Sequence, residues 1–131
     1  MSVELLMLVY SALLFLLVIL VQAGLAIGQN GLMAQAGSRD SLPEPTVLRK
    51  RLQRLTANLQ ENLVLFAIVV LVANAVGVSN DTTAMGATLF FYARVAHAII
   101  YAFGWPVIRP LVYFASLCGI AVILIELFGA K

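Results

Sequence analysis

The chain has 131 residues, of which 63% are hydrophobic and only 11% charged, and its mean hydropathy is +1.03. A soluble domain carries roughly 45–50% apolar and about 25% charged residues, and one this small has too little interior to hide the excess. The composition therefore excludes a soluble globular domain and makes lipid the missing interior. The net charge of +2 is too small, and too concentrated beside one apolar span, for nucleic-acid binding.

Residues 3–28 are apolar almost throughout, interrupted by Ser11, Gln22 and Gly24. At 1.5 Å per residue such a helix crosses a hydrocarbon core of roughly 30 Å. It lacks a basic leading region, carries Glu4 there instead, and is long for a signal peptide, so a retained helix is expected. Residues 29–44 read as a loop, with Asn30-Gly31, Gly37-Ser38-Arg39-Asp40-Ser41 and the Pro43/Pro45 pair as turn and helix-start signals. A second helix is expected over 45–78, with Pro45 in its first turn and Arg49, Lys50, Arg51 and Arg54 snorkelling into the headgroups. Ser79-Asn80-Asp81 marks a tight turn, and a third helix is expected over 83–103. Gly104-Trp105-Pro106 is another turn, its tryptophan suited to the membrane interface, and the fourth helix covers 107–128.

The expected fold class is thus an all-α integral membrane protein, one domain over residues 1–131 built as an up-down antiparallel four-transmembrane-helix bundle. The first loop and the 103–109 turn share one side and hold Arg39, Arg49, Lys50, Arg51, Arg54 and Arg109. The terminal side holds Lys131 against Glu4, Asp81 and Glu126. The positive-inside bias places both termini outside the cytoplasm and the long loop within it.

Polar residues inside the spans are where function is expected. On the second helix Arg54, Asn58 and Glu61 form one stripe at i, i+4 and i+7, with Asn62 beside it. On the third, Arg94, His97 and Tyr101 form another, at i, i+3 and i+7. The stripes are expected to face each other or a partner subunit, with Glu61 offsetting Arg94 or another arginine. Such a pair can simply fix helix register. The arginines nevertheless outnumber the one carboxylate, and surplus positive charge in a low-dielectric site asks for an anionic ligand, to which the rigid arginine fork is well matched. Asn74 reads as interhelical glue and Cys118 as a packing residue, which also leaves no internal disulfide. With one histidine, one cysteine and no glycine-rich phosphate loop, no metal centre, hydrolase triad or nucleotide site is expected.

The run Arg51-Leu-Gln-Arg54-Leu-Thr-Ala-Asn58-Leu-Gln-Glu61-Asn62-Leu-Val-Leu-Phe66 resembles a signature of the membrane-associated proteins in eicosanoid and glutathione metabolism, the superfamily of the microsomal glutathione transferases. The third-helix run Phe91-Tyr-Ala-Arg94-Val-Ala-His97-Ala-Ile-Ile-Tyr101, followed by Pro106 and Arg109, resembles its second characteristic region. The similarity covers essentially the whole chain and is nearest to the bacterial branch. It implies a homotrimer in the cell inner membrane, with glutathione held in clefts between subunits and an apolar small molecule or lipid as second substrate. By that resemblance Arg54 and Asn58 hold polar groups of glutathione, and Arg51 meets its carboxylates. Glu61 engages its amino end or orients an arginine, and Arg94 meets its backbone or a carboxylate. His97 and Tyr101 line the cleft, and Arg109 stabilises the thiolate. Asn62 stands where some eicosanoid-forming members have a tyrosine. The implied function is conjugation of the glutathione thiolate to apolar electrophiles, with peroxidase activity on lipid hydroperoxides as a close variant. A non-catalytic glutathione- or lipid-binding membrane protein is the alternative. A small transporter is a poorer match, because the first helix lacks an essential carboxylate.

Overall fold

The computed structural model describes residues 1–130 and is entirely helical: α1 (Val3–Asn30), the short α2 (Leu32–Ala36), α3 (Val47–Ala75), α4 (Asp81–Phe103) and α5 (Ile108–Gly129). Lys131, counted above with the terminal side, lies outside the described residues. The four long helices are each long and apolar enough to cross a membrane. Their outer surface is apolar, with Leu13, Leu17, Leu20, Ile68, Leu71 and Ile125 all exposed, as lipid contact requires.

Local chemistry sets the ends. Ser2 caps α1 by accepting from the Leu5 amide at 3.3 Å. Thr46 caps α3 by accepting from the Arg49 amide at 3.3 Å, so that helix starts at Val47 and Pro45 stands just outside it. It stops at Ala75 rather than 78, because Gly77 turns left-handed at φ +77 and the Val78 amide folds back to Ala73 O at 2.9 Å. Asn80 and Thr83 form a reciprocal capping box that starts α4 at Asp81, two residues before the expected start. Within the expected 29–44 loop, Leu32–Ala36 forms the helical turn α2.

Helix α4 is central, packing on α1 and α3 and most extensively on α5. Gly86 and Gly119 bring α4 and α5 together so closely that a β carbon at 86 would stand 2.7 Å from Gly119 O, and one at 119 would stand 2.5 Å from Gly86 O. One apolar cluster includes Met7, Phe66, Val70, Phe90, Ile120 and Ile123, with Phe66 and Phe90 stacked at 3.9 Å. A second gathers Val18, Leu52, Leu55 and Leu59 toward the basic end of the bundle. Along α4, Arg94 and His97 fall between Phe90 of the first cluster and Ala98 packed against the second.

Polar ties join helices far apart in sequence. Glu4, read from the sequence as a flanking charge, is only 4% exposed. It accepts from the Thr83 hydroxyl and from the Ser79 hydroxyl at 3.1 Å, at the N-terminal end of α4, where a carboxylate is favoured. At the basic end, the Thr56 hydroxyl donates to Gln22 Oε1 at 2.6 Å, joining α3 to α1.

Candidate functional site

The two polar stripes meet between α3 and α4. Arg94, at 1% exposure, donates from Nη1 to Asn58 Oδ1 at 2.6 Å. Its Nε and Nη2 have no acceptor, and the described residues contain only one ion pair, the surface contact Lys50–Glu44 at 3.3 Å. A full buried charge is thus held by one amide oxygen and by aromatic faces: its Cζ lies 5.4 Å from the Tyr113 ring centroid and 5.7 Å from that of Phe90. These contacts orient a guanidinium without neutralising it.

One turn on, His97 is 2% exposed and its Nδ1 has no partner. Its ring lies 5.5 Å from Tyr101 and 6.3 Å from Tyr113. Tyr101 joins two further arginines. Arg54 donates from Nε to its hydroxyl at 3.2 Å, and Arg109 lies over its ring with Cζ at 4.9 Å. Asn58, His97, Tyr101, Arg109, Pro110 and Tyr113 together line an open cleft of about 320 Å³. That volume lies at the lower end of the range for small-molecule sites, about 300–1,000 Å³. Its lining contains no carboxylate, and Arg94 sits immediately behind it.

The positions expected from the sequence divide accordingly. Asn58, His97, Tyr101 and Arg109 are in the cleft wall, while Arg54 and Arg94 flank it through Tyr101 and Asn58. Arg51 lies elsewhere: its guanidinium packs on the 104 turn so tightly that a β carbon at Gly104 would stand 2.7 Å from its Cζ. Asn62 is buried, and its Nδ2 donates to the Asn58 carbonyl at 2.8 Å, which satisfies its amide within α3. Glu61 is exposed and, among the described residues, forms no ion pair with Arg94 or any other arginine. Three residues on from Asn58, it is rotated about 60° around the helix, and Asn58 takes Arg94 in its place. Tyr113 is a site residue that the sequence reading missed. Its signal was its place one turn after Arg109, on a helix otherwise read as packing.

The arrangement is suited to holding an anion: Arg54 and Arg109 converge on Tyr101 while Arg94 packs behind against Tyr113, no acid balances them, and donors remain unpaired. No cluster among the described residues could hold a metal ion. No curated protein and no solved structure matches the chain. The model of the MAPEG family matches residues 7–129, which include both polar stripes and nearly all of the bundle, and the chain belongs to that family.

Proposed function

We propose that the protein is a glutathione-dependent transferase of the membrane, acting on apolar electrophiles dissolved in the bilayer. The observation that carries this reading is the uncompensated Arg94, held by Asn58 behind a cleft that also presents Arg109 and His97. Glutathione fits the residues present, because it offers carboxylates to arginine forks and a thiol to a cationic site.

Arg54 and Asn58 hold its polar groups, and Arg94 supplies a fixed positive charge from behind the wall. Arg109 stands at the mouth of the cleft beside Tyr101 and favours the sulfur as thiolate. A free thiol has a pKa of about 8.5 and is mostly protonated at neutral pH; each unit of depression corresponds to about 1.4 kcal/mol. The thiol proton leaves to water, and the sulfur lone pair forms a carbon–sulfur bond as the electrophile gives up its leaving group or its double-bond electrons. With a lipid hydroperoxide, the sulfur attacks the terminal oxygen and the alcohol leaves. A second glutathione then converts the sulfenic acid to the disulfide and water.

In this reading the helices run up and down antiparallel and the protein assembles as a homotrimer in the cell inner membrane. The basic end lies at the cytoplasm, with both termini outside. The neighbouring subunit closes the open side of the cleft, where Arg51 and Glu61 meet the tripeptide, while Asn62 supports Asn58 from within α3. The test is turnover of glutathione with an apolar halogenated arene and with a lipid hydroperoxide, using the wild type and R109Q. Conjugation lost in R109Q supports the transferase. Saturable glutathione binding without thiolate formation assigns a binding protein instead.

A further inference from the structure

A second cleft, larger than the first, lies apart from that site. It has a volume of about 550 Å³ and opens between the C-terminal half of α1, the short α2 and the start of α3. Arg39 and Arg49 line it together with Gln22, Gln35, Gln53 and Thr56, while Ile19, Ala23, Ala26, Ile27 and Leu32 form its apolar part. Its lining contains no acidic residue.

Arg49 is the informative side chain. The sequence places it in a basic turn expected to snorkel into the headgroups, yet it is 7% exposed. Its Nη1 donates to Gln29 Oε1 at 2.6 Å and its Nε has no acceptor. Gln29 is itself fixed, donating from Nε2 to the Glu44 carbonyl at 2.9 Å and accepting from the Thr46 amide. Arg39 donates from Nε to the Gln35 carbonyl at 2.7 Å, which leaves the terminal nitrogens of its fork for a ligand. Two guanidinium groups thus flank one end of a cleft that has no acid in its lining; of the acids next in sequence, Asp40 forms no ion pair among the described residues and Glu44 is engaged at the surface by Lys50.

The other end is apolar and lies deeper. From Gln29 to Ile19 along α1 is ten residues, or about 15 Å of helix. That depth runs from the basic end of the bundle into its apolar band. Leu32 and Met33 of α2 are exposed beside the rim, as suits a turn lying at the membrane surface. A free inorganic anion would satisfy the arginines and leave the apolar half unfilled; a neutral lipid would do the reverse.

We propose that this cleft is a binding site for an acidic phospholipid. The phosphate lies between Arg39 and Arg49, the glycerol region meets Gln22, Gln35 and Thr56, and an acyl chain runs along Ile19, Ala23 and Ile27. The site rests on the membrane-spanning bundle and is independent of the glutathione reading.

The experiment is native mass spectrometry of the full, detergent-solubilised protein titrated with phosphatidylglycerol and, separately, phosphatidylcholine. Wild type, R39Q, R49Q and A23W are compared. Wild type should retain phosphatidylglycerol preferentially, and each arginine variant should lose about fivefold of that preference. A23W, which fills the apolar half and leaves both arginines in place, should bind neither lipid there. R39Q decides the question if R49Q fails to fold, because Arg39 is exposed. Equal retention of the two lipids, or a preference unchanged in R39Q, overturns the proposal. Displacement of the lipid by millimolar inorganic phosphate or by glutathione also overturns it, because either would identify a soluble anion as the occupant.

Discussion

Replacing Asn58 with aspartate separates the stability of the site from its capacity to hold an anion. The side chain keeps nearly the same shape, and its oxygen already lies 2.6 Å from Arg94 Nη1, so N58D supplies the carboxylate that Glu61 does not. Attraction to Arg94 then offsets the cost of burying the new charge, and the thermal midpoint should hold or rise. Ligand binding should move the other way. At an effective dielectric of about 20, that carboxylate repels a ligand anion about 7 Å away by about 2.4 kcal/mol, or roughly 50-fold in affinity. N58A is the control: it removes the acceptor without adding charge and should lower stability by about 1.5–3 kcal/mol, the worth of a hydrogen bond to a charged group. Calorimetric titration of glutathione and thermal unfolding in detergent measure both quantities. If N58D binds glutathione within threefold of the wild type, surplus positive charge is not what the site uses.

The remaining expectations address the frame and the cleft. G119A should lower the thermal midpoint by the equivalent of about 1–3 kcal/mol, because the added carbon meets the backbone of α4 rather than a side chain that can move; an unchanged midpoint would contradict the close helix contact. E4A leaves the Ser79 hydroxyl without its acceptor and the Thr83 hydroxyl with only the Asn80 carbonyl, and should cost about 1–3 kcal/mol, with E4Q recovering part of the loss in the same unfolding assay. Y101F removes the acceptor of Arg54 Nε while keeping the ring under Arg109. It should weaken glutathione about three- to tenfold, in line with about 1 kcal/mol for one hydrogen bond, and leave folding unchanged.

The parts legible in the sequence were those set by helical spacing. Four long apolar runs separated by turn residues gave the bundle, and stripes at i, i+4, i+7 on α3 and i, i+3, i+7 on α4 lie where Arg54 meets Tyr101 and Asn58 meets Arg94. Charges were harder to place, because a residue near a helix end can snorkel or bury and its type does not say which. Arg49 was read as solvated and is buried by Gln29, a residue twenty positions earlier. Glu4 was read as a flank and is buried by hydroxyls more than seventy positions later. Within the subunit Glu61 does not pair with Arg94, for a rotational reason: its neighbour on the stripe, Asn58, is the one that faces α4. Tyr113 gave no periodic polar signal, since a tyrosine in an apolar helix looks like any packing aromatic until Arg94 is found against its ring.

The most direct test of the central claim is the absorbance of the glutathione thiolate on the purified protein, followed across pH in wild type and R109Q. A thiol pKa well below the free value of about 8.5 in the wild type, returning toward it in R109Q, is the expected result. Bound glutathione whose thiol titrates at its free value, with no difference between the two proteins, would contradict it.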